Sequence, residues 1–143
     1  MTEAMRSNPA IIHATLAVGA SATAPYYDVN ITQQLCSAAC CDETPVFAPK
    51  FSVKSIENVG ASQYLINIHV EGTISYMPCG CGCCATRTQM ISQDFAVPAF
   101  SATAITGATL TVGASSNAVP KPPCQSCSRT FVSDTPVTIT LTT

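Results

Sequence analysis

The chain has 143 residues, of which 47% are hydrophobic and 10% are charged, and its formal net charge is -2. A chain of this length is expected to form one domain with its own core, since domains cluster near about 100–150 residues. The scattered basic residues argue against nucleic acid as a partner. No run reaches the roughly 18 apolar residues of a membrane-spanning helix, so we expect no membrane span.

The N-terminal segment shows the period of two that is typical of a half-buried strand. Its alternating apolar residues are Ile12, Ala14, Leu16 and Val18. A cleaved signal peptide is the weaker interpretation, because Pro9 and His13 interrupt the apolar run. We expect residues 1–25 to form an extended arm and residues 26–143 to form the domain. An exposed sheet edge accepts such a strand, so Ile12, Leu16 and Val18 are predicted to dock on another subunit.

The rest of the chain also alternates like β-strands. The most regular stretch is 64–77, in which Gly72 predicts a bulge or a bend. Shorter candidates are 27–33, 51–56, 88–97, 104–112, 129–133 and 137–141. Short strands separated by Pro, Gly, Ser and Asn predict an all-β fold, an antiparallel β-sandwich or jelly roll with an N-terminal extended arm.

Nine cysteines occur in three clusters. The clusters are Cys36, Cys40 and Cys41; Cys79, Cys81, Cys83 and Cys84; and Cys124 and Cys127. They are predicted to lie in connections rich in Gly, Pro and Ser, and not singly on apolar strand faces. Two interpretations stay open at this point, a metal site and a disulfide framework that includes links between chains.

The metal interpretation depends on the spacing of Cys124 and Cys127, which suits two ligands of a tetrahedral zinc ion. A second pair from residues 79–84 would complete the site. The other clusters have different spacings, however, and nine thiols exceed the need of one centre. We therefore expect no metal and no other cofactor.

The disulfide interpretation depends on the adjacent pairs, Cys40 with Cys41 and Cys83 with Cys84. Successive side chains of an extended backbone point to opposite sides, so each member of a pair reaches a different partner. The odd number of cysteines leaves at least one thiol for another chain or for none. Covalent cross-linking between chains is the expectation that follows.

Catalytic candidates are few. His13 and His69 are the two histidines, and neither adjoins a nucleophile motif. His69 lies on the polar face of its predicted strand and is interpreted as solvated. A redox role for Cys124 and Cys127 is disfavoured, because prolines precede them where a helix N-terminus would be needed. We expect that the protein is not an enzyme and that it has no catalytic residue and no small-molecule substrate.

Residues 31–36 (ITQQLC), followed by Cys40 and Cys41, resemble the connector of bacterial endospore appendage subunits. In that family an N-terminal connector with a cysteine pair inserts into neighbouring subunits and cross-links a jelly-roll fibre. The resemblance implies intermolecular disulfides for Cys36, Cys40 and Cys41. It implies acceptor or intrachain roles for the remaining cysteines, which are Cys79, Cys81, Cys83, Cys84, Cys124 and Cys127.

Two further segments, 70–76 and 95–100, resemble more faintly the β domain of spore-coat assembly proteins. Both resemblances imply a place on the spore surface. The expected function is thus a structural subunit that polymerises with copies of itself into an extracellular, disulfide-cross-linked fibre. The alternative is a small β domain that binds zinc or an iron–sulfur centre.

Overall fold

The computed structural model describes residues 10–16, 25–41, 43–79, 86–120 and 127–143. These ranges contain nine β-strands and no helix. The strands are β1 (Ile11–Leu16), β2 (Tyr26–Cys40), β3 (Val46–Phe47), β4 (Lys50–Gly60), β5 (Gln63–Tyr76), β6 (Arg87–Phe100), β7 (Gly107–Val112), β8 (Ser116–Ala118) and β9 (Cys127–Thr142). No helix in the described ranges has the length and apolar character that crossing a membrane requires.

The strands form two antiparallel sheets. In the five-stranded sheet β2 pairs with β9, β1 lies on the outer side of β2, and β7 and β8 both pair with the far side of β9. In the four-stranded sheet β5 pairs with β6 on one side and with β3 and β4 on the other. The predicted all-β sandwich is confirmed. A jelly-roll connectivity is not confirmed, because β4, β5 and β6 pair in sequence order.

The core lies between the sheets and follows from the alternation of β5. Ile66 and Ile68 are fully buried, whereas Asn67 and His69 lie on the outer face. From the five-stranded sheet, Phe131 is 0% exposed and meets the ring of Phe47 edge to face, with centroids 5.5 Å apart. The inward side chains of both sheets thus share one apolar core.

Gly72 has a different role from the predicted bulge. It pairs with Ile91 in a β5–β6 ladder whose register is unbroken, so the bulge is absent there. A Cβ atom at Gly72 would lie 2.6 Å from Cε1 of Phe47 and 3.2 Å from the Cα of Pro49. The glycine therefore makes room for the chain where it passes from β3 to β4.

The two predicted strands at 129–133 and 137–141 are one strand, β9, which continues through Pro136. Gly113 N donates to Pro136 O at 2.8 Å, in the gap between β7 and β8. Because the N and O of one strand residue point to the same side, the missing N–H of Pro136 faces this gap and not β2. The strand therefore continues without the loss of a ladder bond to β2.

The N-terminal alternation forms β1, which pairs with β2 of its own chain, Ile12 opposite Ile31 and Leu16 opposite Tyr27. Ile12 packs against the core, and Leu16 is 52% exposed. The predicted docking residue Val18 lies outside the described ranges. Docking of this strand on another subunit stays a prediction.

Side chains join the two sheets along the side where β1 and β6 lie. The hydroxyl of Tyr27 donates to Pro98 O, and burial raises the pKa of that phenol. At the middle of β6, Gln93 Nε2 donates to Ala10 O at 2.6 Å. These contacts hold β6 against β2 and against the residue that precedes β1.

Candidate functional site

The second half of β2 departs from regular pairing. Gln34 pairs with Thr130, but the next pair is Ala39 with Ser128, so four residues of β2 oppose one residue of β9. That residue, Arg129, fills the irregularity with its side chain: Nε donates to Leu35 O and Nη2 to Cys36 O, each at 3.1 Å. A guanidinium thus takes up carbonyl groups that the ladder leaves without a strand partner.

Gln89 of β6 performs a similar task on the opposite edge of β2, beyond the end of β1. Cys36 N donates to Gln89 Oε1 at 2.8 Å, and Gln89 Nε2 donates to Gln34 O at 3.0 Å. The side-chain amide therefore replaces one residue of a pairing strand. Gln89 is 7% exposed and was missed by sequence reasoning, although its position two residues before the buried Ile91 marks it as inward-facing.

The end of β2 lies between two other segments. Cys40 N donates to Met77 O and Cys79 N donates to Ala38 O, both at 2.9 Å. On the other side Cys40 is the ladder partner of Cys127, the first residue of β9. Cys79 and Cys127 form a disulfide within the chain, with their Cα atoms 5.8 Å apart.

We call this region the cysteine end. Its described cysteines come from all three sequence clusters and are Cys36, Cys40, Cys41, Cys79 and Cys127. Cys36 is exposed, and Cys40 and Cys41 are half-buried. Cys40 and Cys41 are reduced, and Cys41 Sγ donates a hydrogen bond to Pro120 O at 3.6 Å. The predicted site residues Cys81, Cys83, Cys84 and Cys124 lie outside the described ranges.

The structure corrects one expectation about these cysteines. Cys36 and Cys40 lie within β2 and not in a connection between strands. The apolar residues of the connector-like motif, Ile31 and Leu35, are buried in the core of their own chain. The signal for a strand was present in this alternation, but the turn-like residues around the cysteines obscured it.

Within the described ranges, no group of three or more His, Cys, Asp or Glu side chains is arranged to hold a metal ion. The described cysteines of the cysteine end include a disulfide and the thiols of Cys40 and Cys41, which are the groups of thiol–disulfide exchange.

A polar cluster that sequence reasoning missed lies on the outer face of the four-stranded sheet. Asp94 Oδ1 is 2.6 Å from His69 Nδ1, Asp94 Oδ2 accepts from Lys54 Nζ at 2.8 Å, and Ser92 Oγ is 3.3 Å from His69 Nε2. The hydrogen bonds from Lys54 and then His69 lower the pKa of Asp94. Ser92 and Asp94 are exposed, so the cluster lacks the water-excluded setting of acyl transfer. His69 and Asp94 are directly opposite each other, so their contact supports the pairing of β5 with β6.

The opposite end of the sandwich, where the β4–β5 hairpin turns, carries a cavity of about 480 Å³. Its lining includes Ser62, Phe100 and Leu141. Phe100 is 59% exposed. The two ends of the sandwich thus differ in chemistry, because one carries cysteines and the other carries this open, mainly apolar cavity.

A scan against protein-family models found no match to this chain, and searches of the curated proteins and of the solved structures found none.

Proposed function

We propose that the protein is a structural subunit, and not an enzyme, that assembles with copies of itself into a disulfide-cross-linked extracellular fibre on the spore surface. The observation that carries the proposal is the cysteine end. Cys79 and Cys127 are joined there within the chain, Cys40 is the ladder partner of Cys127, and Cys41 follows Cys40 in the chain. A place on the spore surface is supported by the resemblance of residues 31–36, with Cys40 and Cys41, to endospore appendage connectors.

The cross-link is proposed to form at the end of the sandwich, because the apolar residues of the motif are buried in their own chain. Cys40 and Cys41 are neighbours in the chain, so their side chains point in different directions. One of them can contact its own fold while the other reaches a second subunit.

The non-covalent contact between subunits is proposed to involve β1. This strand lies at the edge of its sheet, and Ile11 and Leu16 are 69% and 52% exposed. Residues 17–24 join it to the domain, and eight extended residues span at most about 26–29 Å. A neighbour's β1 can therefore take the same place on β2, which completes the sheet between two chains.

Denaturing electrophoresis tests the covalent assembly. Without reductant, boiled material should stay at high mass, and reductant should collapse it toward a 14.9 kDa band. A clean monomer band without reductant would contradict the cross-linked fibre. Stoichiometric zinc or iron in that monomer would favour the metal-binding alternative.

Variants separate the two kinds of contact. Deletion of residues 1–25 should abolish fibres while the circular dichroism of the β domain persists, and fibres of normal length from the truncated chain would refute the role of β1.

Replacement of Cys40 and Cys41 together by Ser should remove resistance of the fibre to hot detergent. Peptide maps of the fibre that place Cys36, Cys40 and Cys41 all in bonds within their own chain, or all as free thiols, would contradict the connector role.

A further inference from the structure

Among the cysteines that the structure describes, Cys79 and Cys40 lie beside Cys127. It is bonded to Cys79, with a Cα–Cα distance of 5.8 Å, and it lies directly opposite Cys40 in the β2–β9 ladder. Directly opposed residues of antiparallel strands have Cα atoms about 4.5–5.5 Å apart. Disulfides accept Cα separations of about 4.4–6.8 Å, so the position of Cys40 also suits a bond to Cys127.

The backbone keeps these three cysteines together. Cys40 N donates to Met77 O, and Cys79 N donates to Ala38 O, both at 2.9 Å. The segment that carries Cys79 is therefore hydrogen-bonded to the segment that carries Cys40. A change of disulfide partner at this place needs side-chain rotation and no separation of strands.

We propose that Cys40 and Cys79 exchange as partners of Cys127. The thiolate of Cys40 attacks Sγ of Cys127, the Cys79–Cys127 bond breaks, and Cys79 leaves as a thiolate that takes up the proton lost by Cys40. One disulfide forms as one breaks, so the step needs neither oxidant nor reductant. The reactive thiol moves in this way from β2 to residue 79.

The exchange gives the cysteine end two covalent states with the same number of disulfides. In one state Cys40 carries the thiol, and in the other Cys79 carries it, at the end of the sandwich. In the proposed fibre, the disulfide state would decide whether Cys40 or Cys79 presents a thiol to a neighbouring subunit. This one consequence rests on the proposed function. The exchange itself does not depend on assembly.

Peptide mapping of the full chain tests the exchange. Trypsin cleaves after Lys and Arg but not before Pro, so Cys40 falls in fragment 7–50, Cys79 in fragment 55–87 and Cys127 in fragment 88–129. The oxidised protein is held at about pH 4 or about pH 8.5 without redox reagents, then acid-quenched, alkylated and digested. A link between fragments 7–50 and 88–129 should grow at the higher pH, since the thiolate is the nucleophile, while the link between 55–87 and 88–129 declines.

Cys40→Ser and Cys41→Ser are the matched variants, because Cys41 is not the ladder partner of Cys127. The 7–50 to 88–129 link should fall at least about tenfold in Cys40→Ser and persist in Cys41→Ser. Fragmentation spectra of the wild-type link locate the bonded residues, so a variant that failed to fold would leave the test intact. No such link in the wild type at the higher pH, or equal links in the two variants, would overturn the exchange.

Mixing heavy-isotope and ordinary chains before the pH change separates this result from the proposed function. Links within one isotope class report exchange inside the chain, and links between classes report bonds between subunits. Exchange without mixed links would support the inference while contradicting the fibre, and mixed links alone would do the reverse.

Discussion

The middle of the four-stranded sheet and the cysteine end are held together by different forces. β5 and β6 pair residue by residue from Gln63 opposite Phe100 to Tyr76 opposite Arg87, without a register shift. At the cysteine end β2 shifts its register between Gln34 and Ala39. The middle is stabilised by a periodic apolar face, and the described part of the cysteine end by hydrogen bonds from Arg129 and Gln89 and by the Cys79–Cys127 disulfide.

This difference explains why the backbone of the cysteine end depends on side chains for part of its hydrogen bonding. A regular ladder with a buried face specifies its register and which residues point into the core. Where the ladder is broken, Arg129 and Gln89 supply the missing hydrogen bonds through side chains. Cys36 lies within this irregular stretch of β2.

The largest expected effect comes from the core. Phe131→Ala removes a fully buried ring that packs on Phe47, and we expect a loss of about 3–5 kcal/mol in the free energy of unfolding. Phe100→Ala is the matched control, because that ring is 59% exposed and its loss should cost within about 0.5 kcal/mol. Urea unfolding measures both, and equal losses would contradict the location of the core.

The disulfide is expected to rank next. Replacing Cys79 and Cys127 together by Ser opens a loop with a sequence separation of 48, which on the chain-entropy model costs about 4 kcal/mol. Urea unfolding of the wild type with and without reductant supplies the control, since reduction should lower its stability by a similar amount. A variant as stable as the oxidised wild type would show that this bond does not hold the cysteine end.

The contrast between the two regions also decides what could be predicted from sequence. The alternation of Ile66, Ile68 and Val70 predicts both a strand and its buried face, because the period of a strand is a local property. The merging of 129–133 with 137–141 could not be predicted. A proline is tolerated in β9 because a gap between two other strands faces its nitrogen.

The candidate site was predictable in composition and not in arrangement. Cysteine clustering marks the reactive residues, but the pairing of Cys79 with Cys127 depends on how distant segments fold. Gln89 and Arg129 were missed for the same reason, since their partners are 53 to 94 positions away in the chain. Side-chain bonds across such distances leave no periodic signal.

A smaller effect is expected from Gln89. Gln89→Ala removes the hydrogen bonds of this side chain to Cys36 N and Gln34 O, of which Gln34 O still accepts from Gln33 Nε2 at 3.0 Å, and the change should cost about 1–3 kcal/mol. Hydrogen exchange at the amide of Cys36 should quicken while the β5–β6 ladder stays protected. Gln63→Ala, at an exposed strand position, is the control and should change neither quantity. Unchanged exchange at Cys36 would mean that the amide bridge does not hold β2.

The smallest expected effect concerns Asp94 on the outer face of the regular sheet. Hydrogen bonds from Lys54, then His69, lower the pKa of its carboxyl below the ordinary 3.8. A lowered folded-state pKa means that the unfolded chain binds the proton more tightly, so the stabilisation is present above about pH 4 and is lost as the pH falls through the folded value. Asp94→Asn should therefore flatten the fall of stability at acid pH. Added salt should shrink the difference in stability between wild type and variant, because the side chains of Asp94 and Lys54 are exposed.

Urea unfolding at about pH 6 and about pH 2.5, repeated with Lys54→Met and the double variant, measures the coupling energy between Asp94 and Lys54. Parallel acid limbs in wild type and Asp94→Asn would show that the Asp94 carboxylate does not stabilise the sheet.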